Sequence, residues 1–301
     1  MRVAAVDLGT FSAILLIADV KRGVLVPLHE ERKTVDLEYS PAGAISGRAV
    51  GRAMRAVRRF DRISRDHQVD CGLVVATAAM RHASNRNTVL QELRTATSLP
   101  IKTISVRQEA NFSARGASFG LSRIARSSLV VDIGGGSSEF IHPKTHIFRG
   151  LSIGAAWATK AWGRNAPRDR AKRGLYFLAS SERAVLGLDI RRFGTIEGVI
   201  GLGGTITTLA AINKRMRTFE VKSVHGSILT ADWIAATGSE MAGLSQAALR
   251  DLVPFDTSRA RVLLAGTYLW SAVLNRLNTD RVTVSARGLR WGVAAHLAGL
   301  P

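Results

Sequence analysis

Short apolar runs alternate with amphipathic stretches along the chain, and this order predicts a mixed α/β fold. Apolar segments of strand length open the sequence at residues 3–7, 13–20 and 24–29. Residues 46–66 then repeat apolar side chains at helical spacing, which predicts an amphipathic helix. Strands and helices continue to alternate to about residue 120, as in a sheet that is covered by helices.

The pattern restarts near residue 129. An apolar run over 129–132 ends in a glycine turn, as the run over 3–7 does, and strands are predicted near 139–142 and 146–150. The later predictions are helices over 168–179, 182–188 and 259–278, a strand over 281–285 and a terminal helix from about Leu289. Two copies of one strand–turn–strand–strand unit predict a duplicated domain with a cleft between the copies.

Three glycine-rich turns are informative about chemistry because each directly follows an apolar run. They read Asp7-Leu-Gly9-Thr10-Phe-Ser12, Asp132-Ile-Gly134-Gly-Gly-Ser137-Ser-Glu139 and Gly201-Leu-Gly203-Gly204-Thr205. A strand that ends in such a turn presents backbone N–H groups where no Cβ blocks a phosphate oxygen. Asp7 and Asp132 add hard oxygen ligands of the kind that magnesium prefers. The turns therefore predict a site for phosphoryl groups and a metal ion.

Carboxylates near the turns are the candidate metal ligands and the candidate base. Asp132 ends its strand and Glu139 starts the return strand, so both carboxylates can face the mouth of the turn. The alternative is that an Asp before Gly only stabilises the turn by bonding its own backbone. Glu109 opens a helix after the strand over 101–106, where a glutamate commonly just complements the helix dipole.

The charge balance favours a polyanionic partner. The 42 Lys and Arg residues outnumber the 23 Asp and Glu residues, which gives a net charge of +19, and 34 of the cations are Arg. Arginine grips phosphate with a planar fork, and a positive field attracts polyanions. Within the predicted helix over 46–66, arginines recur at helical spacing, at Arg48, Arg52, Arg55, Arg59 and Arg62. This stripe is either a solvated face or a track for a polyanion, and a GC-rich coding bias is an alternative source of the charge.

Length and composition limit the remaining possibilities. A chain of 301 residues with 46% hydrophobic residues is long enough for about two domains with substantial cores. The single cysteine, Cys71, excludes an intrachain disulfide and suits a reducing compartment. The apolar start contains Asp7 and Asp19 without a cleavage signal, and no apolar run reaches the roughly 18–20 residues of a membrane span. We therefore expect a soluble, cytoplasmic protein with no membrane partner.

In these motifs the sequence resembles the exopolyphosphatase and guanosine pentaphosphate phosphatase family of the actin-like superfamily. The matching blocks follow in order over nearly the whole chain, at Asp7–Ser12, Ala76–Asn85, Glu109-Ala110, Val131–Glu139, Gly201–Thr205, Arg259-Ala260 and Val284–Arg290. The resemblance implies two ribonuclease-H-like (actin-like) α/β domains with an inter-domain cleft. It places an N-terminal domain over residues 1–125, a C-terminal domain over 126–284 and, over 285–301, a terminal helix that packs back on the first domain.

The resemblance also implies hydrolysis of a terminal phosphoanhydride with Mg²⁺ or another hard divalent cation. Glu109 stands where the family has its catalytic glutamate, the general base for an attacking water. Asp7, Asp132 and Glu139 correspond to the metal ligands. The residues that would bind phosphate oxygens lie in the turns and in the second block: Thr10, Ser12, Arg81, Gly134, Gly135, Gly136, Ser137, Gly203, Gly204 and Thr205.

Departures from the family's pattern at substrate-facing positions keep more than one function open. Phe11 replaces the usual Asn, and Trp157 stands where an arginine is expected. The leading hypothesis is an exopolyphosphatase-like hydrolase of inorganic polyphosphate. The alternatives are a guanosine pentaphosphate 5'-phosphohydrolase, a catalytically weak polyanion-binding family member, and an actin-like ATPase or kinase. The expected partner is thus polyphosphate or a phosphorylated guanosine nucleotide, while nucleic acid at the basic surface and a homodimer stay open.

Overall fold

The chain forms two compact units in a computed structural model that describes residues 1–37, 43–121 and 128–300. Unit 1 comprises Met1–Phe119 and Gly288–Pro301, and unit 2 comprises Gly120–Arg287. The boundary predicted between residues 125 and 126 lies outside the described residues. Both units combine a sheet with helices, which confirms the predicted α/β class.

Unit 1 is built on a sheet with antiparallel strands on one side and parallel strands on the other. Its strands are β1 (Arg2–Leu8), β2 (Ser12–Lys21), β3 (Val24–Thr34), β4 (Cys71–Ala76) and β5 (Ile101–Thr103). They lie in the order β3-β2-β1-β4-β5, with β1 antiparallel to β2 and parallel to β4. The helices that precede residue 120 are α1 (Gly47–Asp66), α2 (Ala78–His82), α3 (Arg86–Arg94) and α4 (Val106–Ser118).

The alternation of side chains along β1 explains why this sheet is covered on both faces. Ala4 and Val6 face a core that also contains buried residues of α1 and α3. Val3 and Ala5 point to the opposite face and belong to a second core. A strand whose two faces are both apolar reads as a continuous hydrophobic run, which is what the sequence shows at residues 3–6.

Unit 2 repeats the same arrangement. Its strands are β6 (Ser128–Ile133), β7 (Ser138–His142), β8 (Ile147–Leu151), β9 (Gly198–Leu202), β10 (Ile228–Thr230) and β11 (Arg281–Val284). Its helices are α5 (Ala155–Gly163), α6 (Arg170–Val185), α7 (Gly204–Asn213), α8 (Val221–Val224), α9 (Ala231–Ala242), α10 (Gln246–Asp251) and α11 (Ala260–Arg276). The strand directions in the order β8-β7-β6-β9-β11 match those in the order β3-β2-β1-β4-β5, and β10 extends the unit 2 sheet beyond β11. This duplication is the ribonuclease-H-like arrangement that the resemblance implies.

The last helix, α12 (Leu289–Leu297), belongs to unit 1 and packs on α4 and β1. Trp291 is 1% exposed, and its indole N–H donates to Glu30 Oε1 at 3.1 Å. Where α4 and α12 cross, a Cβ at Gly116 would overlap the carbonyl oxygen of Gly288, and a Cβ at Gly292 would overlap that of Phe112. The two helices therefore approach as closely as their backbones allow.

Helix boundaries differ from the sequence predictions in a few places. The helices predicted over 168–179 and 182–188 are one continuous helix, α6, in which Ser181 is fully buried. The short helices α2 and α5 were not predicted. None of the described helices is both long enough and apolar enough to cross a membrane.

Candidate active site

A buried ion pair in unit 1 joins the candidate base to a candidate phosphate ligand. Glu109 lies in the first turn of α4, where Ser105 caps the helix and Gln108 completes a capping box. Only 9% of Glu109 is exposed. Arg81 of α2 donates from Nη1 to Glu109 Oε2 at 2.5 Å and to the carbonyl oxygen of Ile104 at 3.2 Å. The Glu109 carboxylate is therefore held in a fixed orientation.

The rest of the Arg81 guanidinium is available for a further acceptor. Its Nε and Nη2 atoms are buried, and neither has a hydrogen-bond partner among the described residues. A buried polar group without a partner costs about 1–3 kcal/mol, and more when it is charged. In native structures such groups point to function, to an unseen water or to an ion. A planar fork with two unpartnered nitrogen atoms suits phosphate oxygens.

The first glycine turn lies between β1 and β2. Gly9 N donates to Ser12 O at 3.0 Å and closes the turn. A Cβ at Gly9 would lie 3.7 Å from Asp7 Oδ1 and 4.0 Å from Thr77 Oγ1, so both polar groups flank this backbone. Thr10 Oγ1 is buried, and within the part of the chain that the structure describes it has no hydrogen-bond partner. Thr77 was not among the predicted site residues, although it falls in the block at 76–85.

Backbone hydrogen bonds brace this turn from residues 35–37. Their amides donate to the carbonyl oxygens of Thr10 and Phe11 over 2.7–3.0 Å. Arg52 of α1 in turn donates to the carbonyls of residues 35 and 36, at 2.7 and 2.6 Å. One member of the predicted arginine stripe thus has a structural role.

The second glycine turn presents the two predicted metal ligands of unit 2 side by side. Asp132 at the end of β6 and Glu139 at the start of β7 are cross-strand partners. Directly opposed residues of antiparallel strands point to the same face of the sheet, with Cβ atoms about 4.5–5.5 Å apart. Glu139 is 2% exposed. The sequence prediction that both carboxylates face one side of this turn is therefore consistent with the register.

Helix α5 holds the same turn in place. The amides of Ala155, Ala156 and Trp157 donate to the carbonyls of Gly134 and Gly135 at 2.9 Å. A trans peptide directs its C=O and N–H groups in opposite directions. Because the carbonyls of Gly134 and Gly135 face α5, the N–H groups of Gly135 and Gly136 point away from it. Two adjacent N–H groups on one side of a glycine turn are suited to an anion.

The third glycine turn packs against the second. Gly203 has φ +98°, and a Cβ there would overlap the carbonyl oxygen of Ile133 and lie 3.3 Å from Asp132 Oδ1. A Cβ at Gly204, the first residue of α7, would overlap the guanidinium group of Arg259. Arg259 is 8% exposed and was not among the predicted site residues, although it lies in one of the matching blocks. Thr205 packs against Gly266 of α11.

The donor set fits a hard divalent cation. Asp132 and Glu139 of unit 2 are adjacent carboxylates beside backbone that carries no Cβ. No group of three or more His, Cys, Asp or Glu side chains is placed to hold a metal ion among the described residues. Magnesium, however, commonly takes one or two carboxylates and completes its shell with phosphate oxygens and water. The metal and its ligands stay a prediction.

Comparisons with known proteins place the chain in a family. A model of the Ppx/GppA phosphatase family matches residues 16–299. Exopolyphosphatase 2 of Mycobacterium tuberculosis is 28% identical over 315 residues, which cover 99% of this chain and 99% of that protein. The guanosine-5'-triphosphate,3'-diphosphate pyrophosphatase of Aeromonas hydrophila is 25% identical over 98% of this chain and 59% of its own length.

A solved structure supports the same relationship. The Ppx/GppA family member from Aquifex aeolicus superposes with a TM-score of 0.82 and 26% identity, over 99% of this chain and 98% of that one. Because the superposition covers nearly all of both chains, it confirms the predicted actin-like fold. Since the family model spans most of the sequence, the chain belongs to the Ppx/GppA phosphatase family.

Proposed function

We propose that the protein is an exopolyphosphatase-like phosphohydrolase that removes the terminal phosphate of inorganic polyphosphate. The observation that carries the proposal is the buried Arg81–Glu109 pair, in which an arginine orients the carboxylate and keeps its Nε and Nη2 atoms for another acceptor. The similarity to exopolyphosphatase 2 over 99% of both chains supports this substrate. The net charge of +19 favours a polyanion.

In the proposed reaction, a water oxygen attacks the terminal phosphorus while its proton passes to the carboxylate of Glu109. The P–O bond to the bridging oxygen breaks, and the shortened polyphosphate leaves with that oxygen. A positioned base contributes roughly 10²–10⁴-fold to such a rate. Phosphoryl transfer needs little covalent help, so orientation and neutralisation of charge supply the remainder. In this chain the guanidinium of Arg81 and the hydroxyl of Thr10 are the groups that would meet the phosphate oxygens in unit 1.

Mg²⁺ is the proposed cofactor, and Asp7, Asp132 and Glu139 are the residues that would hold it. When bound, the ion would neutralise charge on the phosphate oxygens. The glycine turns contribute separately, because the backbone N–H groups around Gly135 and Gly136 donate to an anion without any metal. At the start of α7, the backbone N–H groups and the guanidinium of Arg259, which packs against Gly204, would be the donors to a phosphate.

Hydrolysis of guanosine pentaphosphate is the second candidate, and Trp157 is the observation that favours it. Trp157 is 45% exposed, lies in the first turn of α5, and donates its amide to Gly135 O in the second glycine turn. An exposed aromatic ring can stack on a nucleobase, a contact worth about 1–3 kcal/mol. If this candidate holds, Trp157→Ala should raise the KM for guanosine pentaphosphate and leave that for polyphosphate unchanged, in parallel phosphate-release assays.

Phosphate release from polyphosphate and guanosine pentaphosphate, each with and without magnesium, tests the proposal. Faster turnover of polyphosphate that requires magnesium is the expected result. A preference for guanosine pentaphosphate would favour the second candidate. Tight, salt-sensitive binding without release would favour a polyanion-binding protein. ATP consumption that depends on an added acceptor or partner would favour an actin-like ATPase or kinase.

A further inference from the structure

Helix α1 presents a face of exposed, unpaired arginines. Arg48, Arg55, Arg58 and Arg62 are exposed, and among the described residues none of them has a hydrogen-bond or ion-pair partner. The other side of the helix, with Val57 and Phe60, is buried. We call these four side chains the α1 arginine row.

Two other arginines of the sequence stripe form hydrogen bonds and are therefore not part of the row. Arg52 is bonded to the carbonyls of residues 35 and 36. Arg59 donates to Glu31 Oε1 at 2.6 Å, so its charge is compensated. The exposed acidic residue of α1, Asp66, lies at its C-terminal end. Along most of the row, therefore, no exposed carboxylate of α1 neutralises the positive charge.

The arginines of the row lie in a nearly straight line along α1. Arg48, Arg55 and Arg62 are spaced by seven residues, which corresponds to a rise of about 10.5 Å per step and about 21 Å from the first to the last. Successive residues at this spacing drift by only about 20° around the helix axis, so the three side chains point in nearly the same direction. Arg58 lies between the last two, on the same side of the helix.

The N-terminal end of the row lies close to the candidate active site of unit 1. Arg52, one turn beyond Arg48, binds the segment 35–37 that braces the first glycine turn. The residue just before the α1 cap, Ile45, exchanges two hydrogen bonds with Asn85, at 2.9 and 3.0 Å. Asn85 is four residues from Arg81, which binds Glu109. The row thus starts beside the elements that carry the candidate catalytic residues and extends along α1.

We propose that the α1 arginine row binds the trailing part of a long polyphosphate chain whose end is processed in the active site. This inference rests on the proposed function, because it assumes that the end of the chain is held near Arg81 and Glu109. The row attracts a flexible polymer that carries a negative charge on every unit. Short polyphosphates end before they reach its far arginines.

The chemistry of the row favours polyphosphate over single-stranded RNA. Proteins that bind single strands combine cations with aromatic side chains on which the bases stack. The aromatic residue of α1, Phe60, is 0% exposed and lies in the core. The row offers charge without a surface for bases.

The test compares two triple variants, each of which lowers the net charge of +19 by three. The first carries Arg48→Gln, Arg55→Gln and Arg62→Gln. The control replaces three exposed arginines of unit 2, Arg191, Arg217 and Arg250, by glutamine. Gln and Arg have similar helix propensities, so both variants should fold. Binding of long-chain polyphosphate, tripolyphosphate and single-stranded RNA is measured at low and high salt, together with phosphate release.

The α1 variant should bind long-chain polyphosphate about tenfold more weakly at low salt, with a smaller difference at high salt. Its affinity for tripolyphosphate and its kcat should stay unchanged, and the control should match the parent protein. Equal long-chain affinity in the two variants would overturn the inference, as would a loss of RNA binding alone. A third outcome separates the two proposals. If the parent protein and both variants released no phosphate, and only the α1 variant lost affinity for long-chain polyphosphate, the proposed hydrolysis would be wrong and the proposed binding by the α1 arginine row would be supported.

Discussion

Replacement of Gly116 by alanine tests whether the position of Glu109 depends on the close crossing of α4 and α12. Gly116 lies two helical turns after Glu109 on α4. A Cβ at this position would overlap the carbonyl oxygen of Gly288 and lie 2.8 Å from its carbonyl carbon and 3.0 Å from Gly292 N. These neighbours are backbone atoms, which cannot turn aside as a flexible side chain can.

The size of the effect follows from these distances. Ordinary contacts of a Cβ begin near 3.4 Å, so the two helices must separate by more than about 1 Å to admit the new methyl group. Overpacking of this kind costs about 1–3 kcal/mol of stability. A displacement of about 1 Å in a catalytic group can cost about 10²-fold in rate. Gly116→Ala should therefore lower both the midpoint of thermal unfolding and kcat, while substrate binding changes less.

Phosphate release and thermal unfolding are measured for Gly116→Ala and for a matched control, Gly187→Ala. A Cβ at Gly187 would meet nothing within 4 Å, so the control should behave as the parent protein. Parental kcat and thermal stability in Gly116→Ala would show that the crossing does not position Glu109, and the reasoning from backbone contact would be refuted.

Two further predictions concern ion pairs. Arg81→Met should destabilise the protein by about 3–5 kcal/mol in chemical denaturation, because it leaves the Glu109 carboxylate buried without this partner. Addition of Glu109→Leu should recover much of the loss. An Arg81→Met variant with the stability of the parent protein would contradict this prediction. Burial opposes ionisation of Glu31, but hydrogen bonds from Arg59 and Lys33 outweigh it and lower its pKa from 4.5 to about 2. Since the folded-state pKa lies below the unfolded value, the stabilisation is complete above pH 4.5 and is lost as the pH falls toward 2. Glu31→Gln should therefore be less stable than the parent by up to about 3 kcal/mol at neutral pH and nearly equal to it in strong acid, and a pH-independent difference in urea unfolding would count against the ion pairs.

Local patterns in the sequence were sufficient to predict the duplicated sheet and the glycine turns. Residues 3–6 and 129–131 are continuously apolar because both faces of their strands are buried, and this leaves a clear signal. The opposed positions of Asp132 and Glu139 also follow from local geometry, since a tight turn between antiparallel strands fixes their register.

Long-range contacts could not be predicted in the same way. The five residues of α2 are too few to show helical periodicity, and the pairing of Arg81 with Glu109 joins residues 28 positions apart. The packing of Arg259 on Gly204 depends on how α7 and the segment before α11 meet in the folded unit. Which arginines of the stripe form hydrogen bonds likewise depends on tertiary contacts, those of Arg52 and Arg59.

The central claim is that Glu109 acts as the base for an attacking water, and the Glu109→Gln variant tests it most directly. Gln keeps the shape of the side chain and can still accept a hydrogen bond from Arg81, but it cannot take up the proton. The rate of phosphate release from polyphosphate with magnesium present should fall by about 10²–10⁴-fold while polyphosphate binding is retained. Turnover by Glu109→Gln at the parental rate would contradict the account.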